Sequence, residues 1–230
     1  MYFGIISAGE GSRLALEGAK VPKPLTPLAG KPMIGRLIDI MRHCGADGIS
    51  VIVNPVNRPT IEYLKSLRIE CPLTVIEKAT ESSMHSFYEL SSSLKGERFC
   101  VTTVDTVFRE DEFEQYIRLF ETCDADAVMG VTEYVDDERP LYVGVSDDMR
   151  IYGFYDEPNG CKYVSGGIYG LCRCALSTLE HCVSSGQARM RSFQRQMVAD
   201  GLRMTAYRFG KIVDVDHLSD IRKAEDLLKY

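Results

Sequence analysis

Two glycines and a cation follow the first apolar run of the chain. Tyr2 to Ser7 reads as a buried strand, and Ala8-Gly9-Glu10-Gly11-Ser12-Arg13 comes directly after it. With no Cβ at Gly9 or Gly11, successive backbone amides can turn toward one anion. The guanidinium of Arg13 adds a planar fork of donors for the same anion. Farther on, Val21-Pro22-Lys23-Pro24-Leu25 holds a lysine between two prolines, and Gly30-Lys31-Pro32 presents another. A strand, a glycine loop with a cation and proline-framed lysines is a way to hold polyphosphate. The chemistry indicated is that of a nucleoside triphosphate. A plain strand-to-helix turn also explains the glycines, but not the arginine and lysine that follow.

Two familiar phosphate loops are excluded. A dinucleotide fingerprint needs a third glycine after Gly9 and Gly11, and Leu14 stands there. A P-loop needs Gly-Lys-Ser/Thr at its end, and Gly30-Lys31 is followed by Pro32.

The elements that must position these residues alternate between strand and helix signals. Met33, Leu37, Ile40, Met41 and Cys44 recur at helical spacing, with Gly45 as a stop. Ile49–Val53 reads as a strand, followed by a helix with Ile61, Leu64 and Leu67 inward. Leu73–Ile76 predicts a third strand, Met84 to Leu94 a helix, and Phe99–Val104 a strand ending at Asp105. A helix striped by Phe113, Tyr116, Ile117 and Phe120 comes next, and Ala127–Thr132 returns as a strand. This rhythm predicts a parallel-rich sheet with helices on both faces. Beyond Thr132 the pattern changes. Leu141–Val145 and Ile151–Tyr155 look like short paired strands, and Val164–Leu171 is apolar and glycine-marked. Helical stretches start at Ala175 and Phe193, Met204–Phe209 and Ile212–Val215 read as strands, and Ile221, Ala224 and Leu228 stripe a closing helix.

Gly-x-Gly-x-Arg, Pro-Lys-Pro-Leu and Gly-Lys-Pro occur here in order, and the set resembles the nucleotidyltransferase family that activates sugar phosphates. The resemblance continues more thinly to the last helix. It implies a single-domain, Rossmann-like α/β/α sandwich with a mostly parallel mixed sheet and a small β-rich extension on the acceptor side, the GT-A-like nucleotidyltransferase fold. Residues 1–132 would form the nucleotide-binding half and residues 133–230 the acceptor-binding half. The implied reaction is attack by an acceptor phosphate on the α-phosphorus of a nucleotide, with release of pyrophosphate. Two anions must approach each other, so positive charge has to be preorganised between them. Arg13 is the candidate for the leaving phosphates and Lys23 for the charge that builds at the α-phosphate. Ala8, Gly9, Glu10, Gly11, Ser12 and Ser83 join them as expected nucleotide contacts, Ser83 standing where the family often has the threonine of Gly-Thr-Ala.

Magnesium is the expected cofactor, because it bridges phosphates through hard oxygen ligands. Val104-Asp105 resembles the family's Gly-Asp at a strand end, which makes Asp105 a metal and catalytic candidate. Val213-Asp214-Val215-Asp216 resembles the C-terminal signature that completes the metal site, with Asp216 as the ligand and Asp214 as support for it. Either Asp105 or Asp216 could instead cap a helix. In the acceptor half, Asp156-Glu157-Pro158 resembles Glu-Lys-Pro without its lysine, and Ser165-Gly166-Gly167-Ile168-Tyr169 resembles Asn-Ala-Gly-Ile-Tyr. Glu157, Gly167 and Tyr169 are therefore the expected acceptor contacts, with core packing an equal alternative for Tyr169. These departures point to an ordinary reaction on an unusual acceptor, most simply a sugar 1-phosphate giving an NDP-sugar. Phosphocholine or a similar phosphate is the enzymatic alternative, and a nucleotide-binding sensor without turnover is the other.

Bulk properties agree with a small cytoplasmic enzyme. At 230 residues the chain can bury one substantial core, and its net charge of −6 argues against a nucleic-acid partner. No apolar run is long enough for a membrane partner. The eight cysteines contain no Cys-x-x-Cys pair, so reduced thiols are expected rather than a metal site. Lys31 could orient the glycine loop or be a solvated cation. Arg189, Arg191 and Arg195 could be a solvated helix face or an anion contact. A homodimer stays open.

Overall fold

The structure is a computed structural model and describes residues 1–229. β1 (Tyr2–Ser7) leads into a short α1 (Ser12–Leu16), a 3-10 turn at Lys23–Leu25 and two minimal strands, β2 (Pro27–Leu28) and β3 (Lys31–Pro32). α2 (Met33–His43), β4 (Gly48–Val53), α3 (Arg58–Ser66), β5 (Leu73–Glu77), α4 (Ser83–Ser91) and β6 (Arg98–Thr103) follow. Next come β7 (Thr106–Val107), α5 (Glu110–Thr122), β8 (Ala127–Thr132), β9 (Tyr142–Val145) and β10 (Ile151–Tyr155). β11 (Tyr163–Cys172), α6 (Ala175–Ser184), α7 (Met190–Ala199), β12 (Met204–Phe209), β13 (Val213–Asp214) and α8 (Leu218–Leu228) complete the order.

Nine strands form one mixed sheet. β6, β1, β4 and β5 lie parallel in that order, as their unbroken apolar runs require when both faces are covered. β11 joins antiparallel to β6 on one side and to β8 on the other, and β12 adds parallel to β8. β9 pairs with the first residues of β11 and carries β10. This branch depends on a register shift in β11 between Ser165 and Tyr169. Gly167 sits inside it with φ +70°, a conformation most side chains avoid.

Alternation along the strands sends side chains to two cores. Phe3, Ile5, Val51 and Cys100 pack with α2, α3 and α5 through Leu37, Ile61 and Phe113. Ile6, Ile52 and Val101 pack with α4, α6 and α7 through Phe87, Leu179 and Phe193. The result is the α/β/α sandwich expected from the sequence. A third cluster joins Leu14 of α1, Leu28 of β2, Val107 of β7, Ala224 of α8 and Val215 between β13 and α8. Each fully buried aliphatic side chain contributes roughly 1.5–3 kcal/mol. This small core therefore holds the glycine-loop end of the chain against the C-terminal acids.

Several boundaries differ from expectation. β6 ends at Thr103, and Val104-Asp105 form a turn into β7. The strand expected over 212–215 is the two-residue β13, which pairs antiparallel with β7. α3 stops at Ser66, where Leu67 turns extended. α4 ends at Ser91, though Leu94 stays buried beyond it. α7 begins at Met190, ahead of Phe193.

Candidate nucleotide site

The C-terminal ends of β1 and β6 and the β13 segment meet at one place. Ala8, Gly9, Glu10, Gly11, Lys23, Ser83 and Asp105 line a single cavity of about 370 Å³. Gly11 is the N-cap of α1 in a left-handed conformation, φ 62°. A Cβ there would lie 2.7 Å from the Cβ of Lys23, so the glycine lets the loop lie directly on the lysine. Lys23 itself opens the 3-10 turn between its two prolines. Of the other expected nucleotide contacts, Ser12 is exposed outside this cavity, and Arg13 lines a neighbouring cavity with Asp214 and Asp216.

Lys23 is the centre of the site. Its Nζ donates to Asp105 Oδ2 at 2.5 Å and to Asp216 Oδ1 at 2.6 Å. Arg13 Nη1 donates to Asp216 Oδ2 at 2.9 Å. Burial works against the charge of Lys23, but Asp105 and then Asp216 outweigh it and hold the ammonium above the ordinary lysine range. Burial likewise opposes the charge of Asp105, and Lys23 overcomes it, so this carboxyl is held below the usual carboxylate range.

Asp214 behaves differently. It is an exposed residue that lines two neighbouring clefts. Desolvation by the surrounding protein, with the charge of Asp105 next, pushes its carboxyl up to about 7 against a 3.1 Å hydrogen bond donated by Thr106 Oγ1. Thr103 Oγ1 and Thr106 Oγ1 lie 2.6 Å apart. Hydroxyl contacts thus connect Asp214 to the strand end that carries Asp105.

Neither acid caps a helix. Asp105 is followed by β7, whose pairing with β13 replaces the helix a cap would need. For α8 the N-cap is His217, and Asp220 Oδ2 accepts from the backbone of Asp216 and His217 at 3.2 and 2.8 Å. Asp220 does the capping, which frees the carboxylate of Asp216 for the cations.

A divalent cation suits this donor set. The carboxylates of Asp105 and Asp216 converge on one cationic atom, so they are no farther apart than two short hydrogen bonds allow. Among the described residues no group of three or more His, Cys, Asp or Glu side chains could hold a metal alone. Two hard-oxygen carboxylates with substrate phosphates completing the shell is the manner in which magnesium, not zinc, is held. All eight cysteines are free thiols.

A second cleft of about 420 Å³ shares Ser83, Thr103 and Asp105 with the first. Gly167 and Tyr169 line it, Tyr169 at 5% exposure, so this side chain both packs in the core and forms cleft wall. A Cβ on Gly167 would come within 2.7 Å of Thr106 Oγ1. Glu157 is not in this cleft. It lies on an adjoining outer groove, where its neighbour Asp156 pairs with Arg191 and Arg195. The spacing of the sequence offered no sign of Arg139, which lines both clefts. Lys31 pairs with Asp39 of α2 on another face, so it is a surface cation rather than a support for the glycine loop. No helix among the described residues is long and apolar enough to cross a membrane.

Residues 4–200 match the model of a family described as the MobA-like NTP transferase domain. The bifunctional protein GlmU of Methanococcus maripaludis strain S2 is 23% identical over 96% of this chain and 53% of its own length. The glucose-1-phosphate adenylyltransferase of Clostridium botulinum strain Alaska E43 is 24% identical over 98% of this chain and 65% of its own length. The chain thus spans about half to two-thirds of these curated relatives. The solved structure of the inositol-1-phosphate CTP transferase from T. maritima superposes with a TM-score of 0.82 at 18% identity, covering 99% of this chain and 96% of that one. At that identity the likeness concerns the fold.

Proposed function

The chain belongs to the MobA-like NTP transferase domain family, and on that premise we propose that it moves a nucleotidyl group from a nucleoside triphosphate to a phosphorylated acceptor, most simply a sugar 1-phosphate. An acceptor phosphate oxygen forms a bond to the α-phosphorus as the bond from that phosphorus to the β-phosphate oxygen breaks. Pyrophosphate leaves, and an NDP-sugar results. The acceptor phosphate is already ionised at neutral pH, so no side chain need take a proton from it.

One observation carries this reading: Lys23, Asp105 and Asp216 converge beside the glycine loop. A bare phosphate-binding turn needs no paired carboxylates, and these two would repel a polyphosphate unless a cation stood between them. Asp105 and Asp216 would hold magnesium, which when bound supplies positive charge to the triphosphate. Lys23 then gives up a carboxylate partner and turns its ammonium to the charge that grows at the α-phosphate. Arg13 is adjacent, anchored on Asp216, and serves the leaving phosphates. Ala8, Gly9, Glu10, Gly11 and Ser83 form the walls that position the nucleotide.

The acceptor enters by the second cleft, past Tyr169 and Gly167. Phosphocholine fits this cleft less well, because a quaternary ammonium calls for aromatic faces and, among the described residues, Tyr169 is the one aromatic lining it. The test is pyrophosphate release with magnesium, crossing the common NTPs and dTTP with a panel of sugar 1-phosphates and phosphocholine. Release that needs one nucleotide and one sugar 1-phosphate together is expected. Release with phosphocholine alone would reassign the acceptor, and nucleotide binding without any release would favour a sensor.

A further inference from the structure

The acceptor cleft lacks the lysine that the Glu-Lys-Pro pattern would supply, since Glu157 stands in its place and faces the outer groove. A dianionic acceptor phosphate still has to be held near Asp105, Asp214 and Asp216, which all line the same cleft and all repel it. Lys23 is committed to two of those acids. The remaining cations on the cleft wall are Arg139, Arg189 and Arg191.

These three are not equivalent. Arg191 is engaged through both terminal nitrogens: Nη1 donates to Asp156 Oδ1 at 2.5 Å and Nη2 to the carbonyl of Arg139 at 3.0 Å. Arg195 takes the other oxygen of Asp156 at 2.7 Å. Asp156 is thereby spent, and hydrogen bonds from Arg195 and then Arg191 hold it below the usual carboxylate range. The guanidinium groups of Arg139 and Arg189 have no carboxylate partner among the described residues, and both line the cleft. Their backbones are fixed nonetheless. The amide of Arg139 donates to Asp137 Oδ1 at 2.9 Å, and its carbonyl is gripped by Arg191, two residues beyond Arg189. The loop before β9 and the start of α7 are thus tied together with two free guanidinium groups on one rim.

We infer that Arg139 and Arg189 form the clamp for the acceptor's phosphate, replacing the missing lysine, with Arg191 as the positioning residue that brings them together. Two planar forks hold a phosphate through paired hydrogen bonds, where one ammonium would act as a point charge. Asp156 keeps Arg191 and Arg195 from competing for the same anion. The inference rests on the transferase reading for its purpose, but its test does not require turnover.

Inorganic phosphate is the probe. The side-chain 15Nε signals of Arg139 and Arg189, assigned through Arg139→Lys and Arg189→Lys, are followed as phosphate is added. Both signals should shift together along one saturating curve. Arg139→Gln and Arg189→Gln should each weaken phosphate binding by at least about tenfold, the size of one lost charge-assisted hydrogen bond. Both residues are exposed, so the backbone amide spectrum of each variant should match the wild type. Arginine signals that stay still, or an unchanged phosphate affinity in the double variant, would overturn the clamp. The transferase reading fails separately, on absent pyrophosphate release by the wild type.

Discussion

Lys23 and Asp105 stand 82 positions apart in the chain, yet the ammonium Nζ donates to the carboxylate Oδ2 across 2.5 Å. The contact is mostly shielded, with side-chain exposures of 12% and 24%. Lys23→Ala leaves Asp105 and Asp216 facing each other with less cation between them. Partial solvent access keeps the cost below that of a fully buried pair, at about 1–2 kcal/mol. Magnesium should recover much of that loss, because it answers the same repulsion. Thermal denaturation of Lys23→Ala with and without magnesium checks this, and a melting temperature indifferent to magnesium would count against the shared cation position. In turnover, the variant should lose about 10²–10³-fold in kcat with a smaller change in nucleotide affinity.

Gly11 is the point where the glycine loop touches Lys23. Gly11→Ala adds a Cβ at φ 62°, 2.7 Å from the lysine Cβ. The backbone conformation alone costs about 1 kcal/mol, and the contact forces the lysine away. Turnover should fall by more than this stability loss explains. Gly9→Ala has open space around its new Cβ and serves as the comparison. Equal kinetics in the two variants would show that the loop does not position Lys23.

Asp216 and Asp220 separate site chemistry from helix capping. Asp220→Ala removes the carboxylate that accepts from Asp216 and His217 and should lower stability by about 1 kcal/mol. Asp216→Asn leaves that cap in place, so its melting temperature should stay within about 2 °C of wild type while pyrophosphate release drops sharply. Chemical denaturation of both variants distinguishes the roles. A large stability loss in Asp216→Asn with normal turnover would reverse them.

Acid stability should register Asp126. Its carboxylate takes Arg203 Nε, Nη2 and backbone N at 3.2, 3.0 and 2.9 Å, which ties β8 to the start of β12. The hydrogen bonds from Arg203, against a smaller effect of burial, hold this carboxyl below its ordinary value. A lowered folded-state pKa means stability that is present above the unfolded value, about 3.9, and lost as pH falls through the folded one. Arg203 is more than half exposed, so the amount is at most about 1 kcal/mol. The gap in melting temperature between wild type and Asp126→Asn should be constant near pH 6–7 and close below about pH 4. A gap that does not narrow as the pH falls below about 4 would refute the ionic origin.

The layers of the fold were legible because each is a local pattern. β1 with its glycine loop, the buried parallel strands and the stripe on α5 can all be read from neighbouring residues. The meeting of Lys23, Asp105 and Asp216 is different in kind. It depends on β7 pairing with β13, two strands of two residues each, too short for any periodicity to announce. The resemblance named both acids, but spacing alone left helix capping open as the lesser alternative. Only the structure shows that a strand follows Asp105 and that Asp220 caps α8. The arginines were ambiguous for a similar reason. What separates Arg191 from Arg189 is Asp156, 35 positions away from the former, reached through packing of α7 against β10.

The most direct test of the account follows the α-phosphorus itself. A nucleoside triphosphate labelled with 32P at the α-position is incubated with magnesium, the protein and its sugar 1-phosphate acceptor. The label is predicted to appear in the NDP-sugar, with unlabelled pyrophosphate formed in equal amount, and Asp105→Asn should abolish both. Label recovered as free NMP or NDP, or labelled conjugate formed undiminished by Asp105→Asn, would contradict nucleotidyl transfer at the Lys23–Asp105–Asp216 centre.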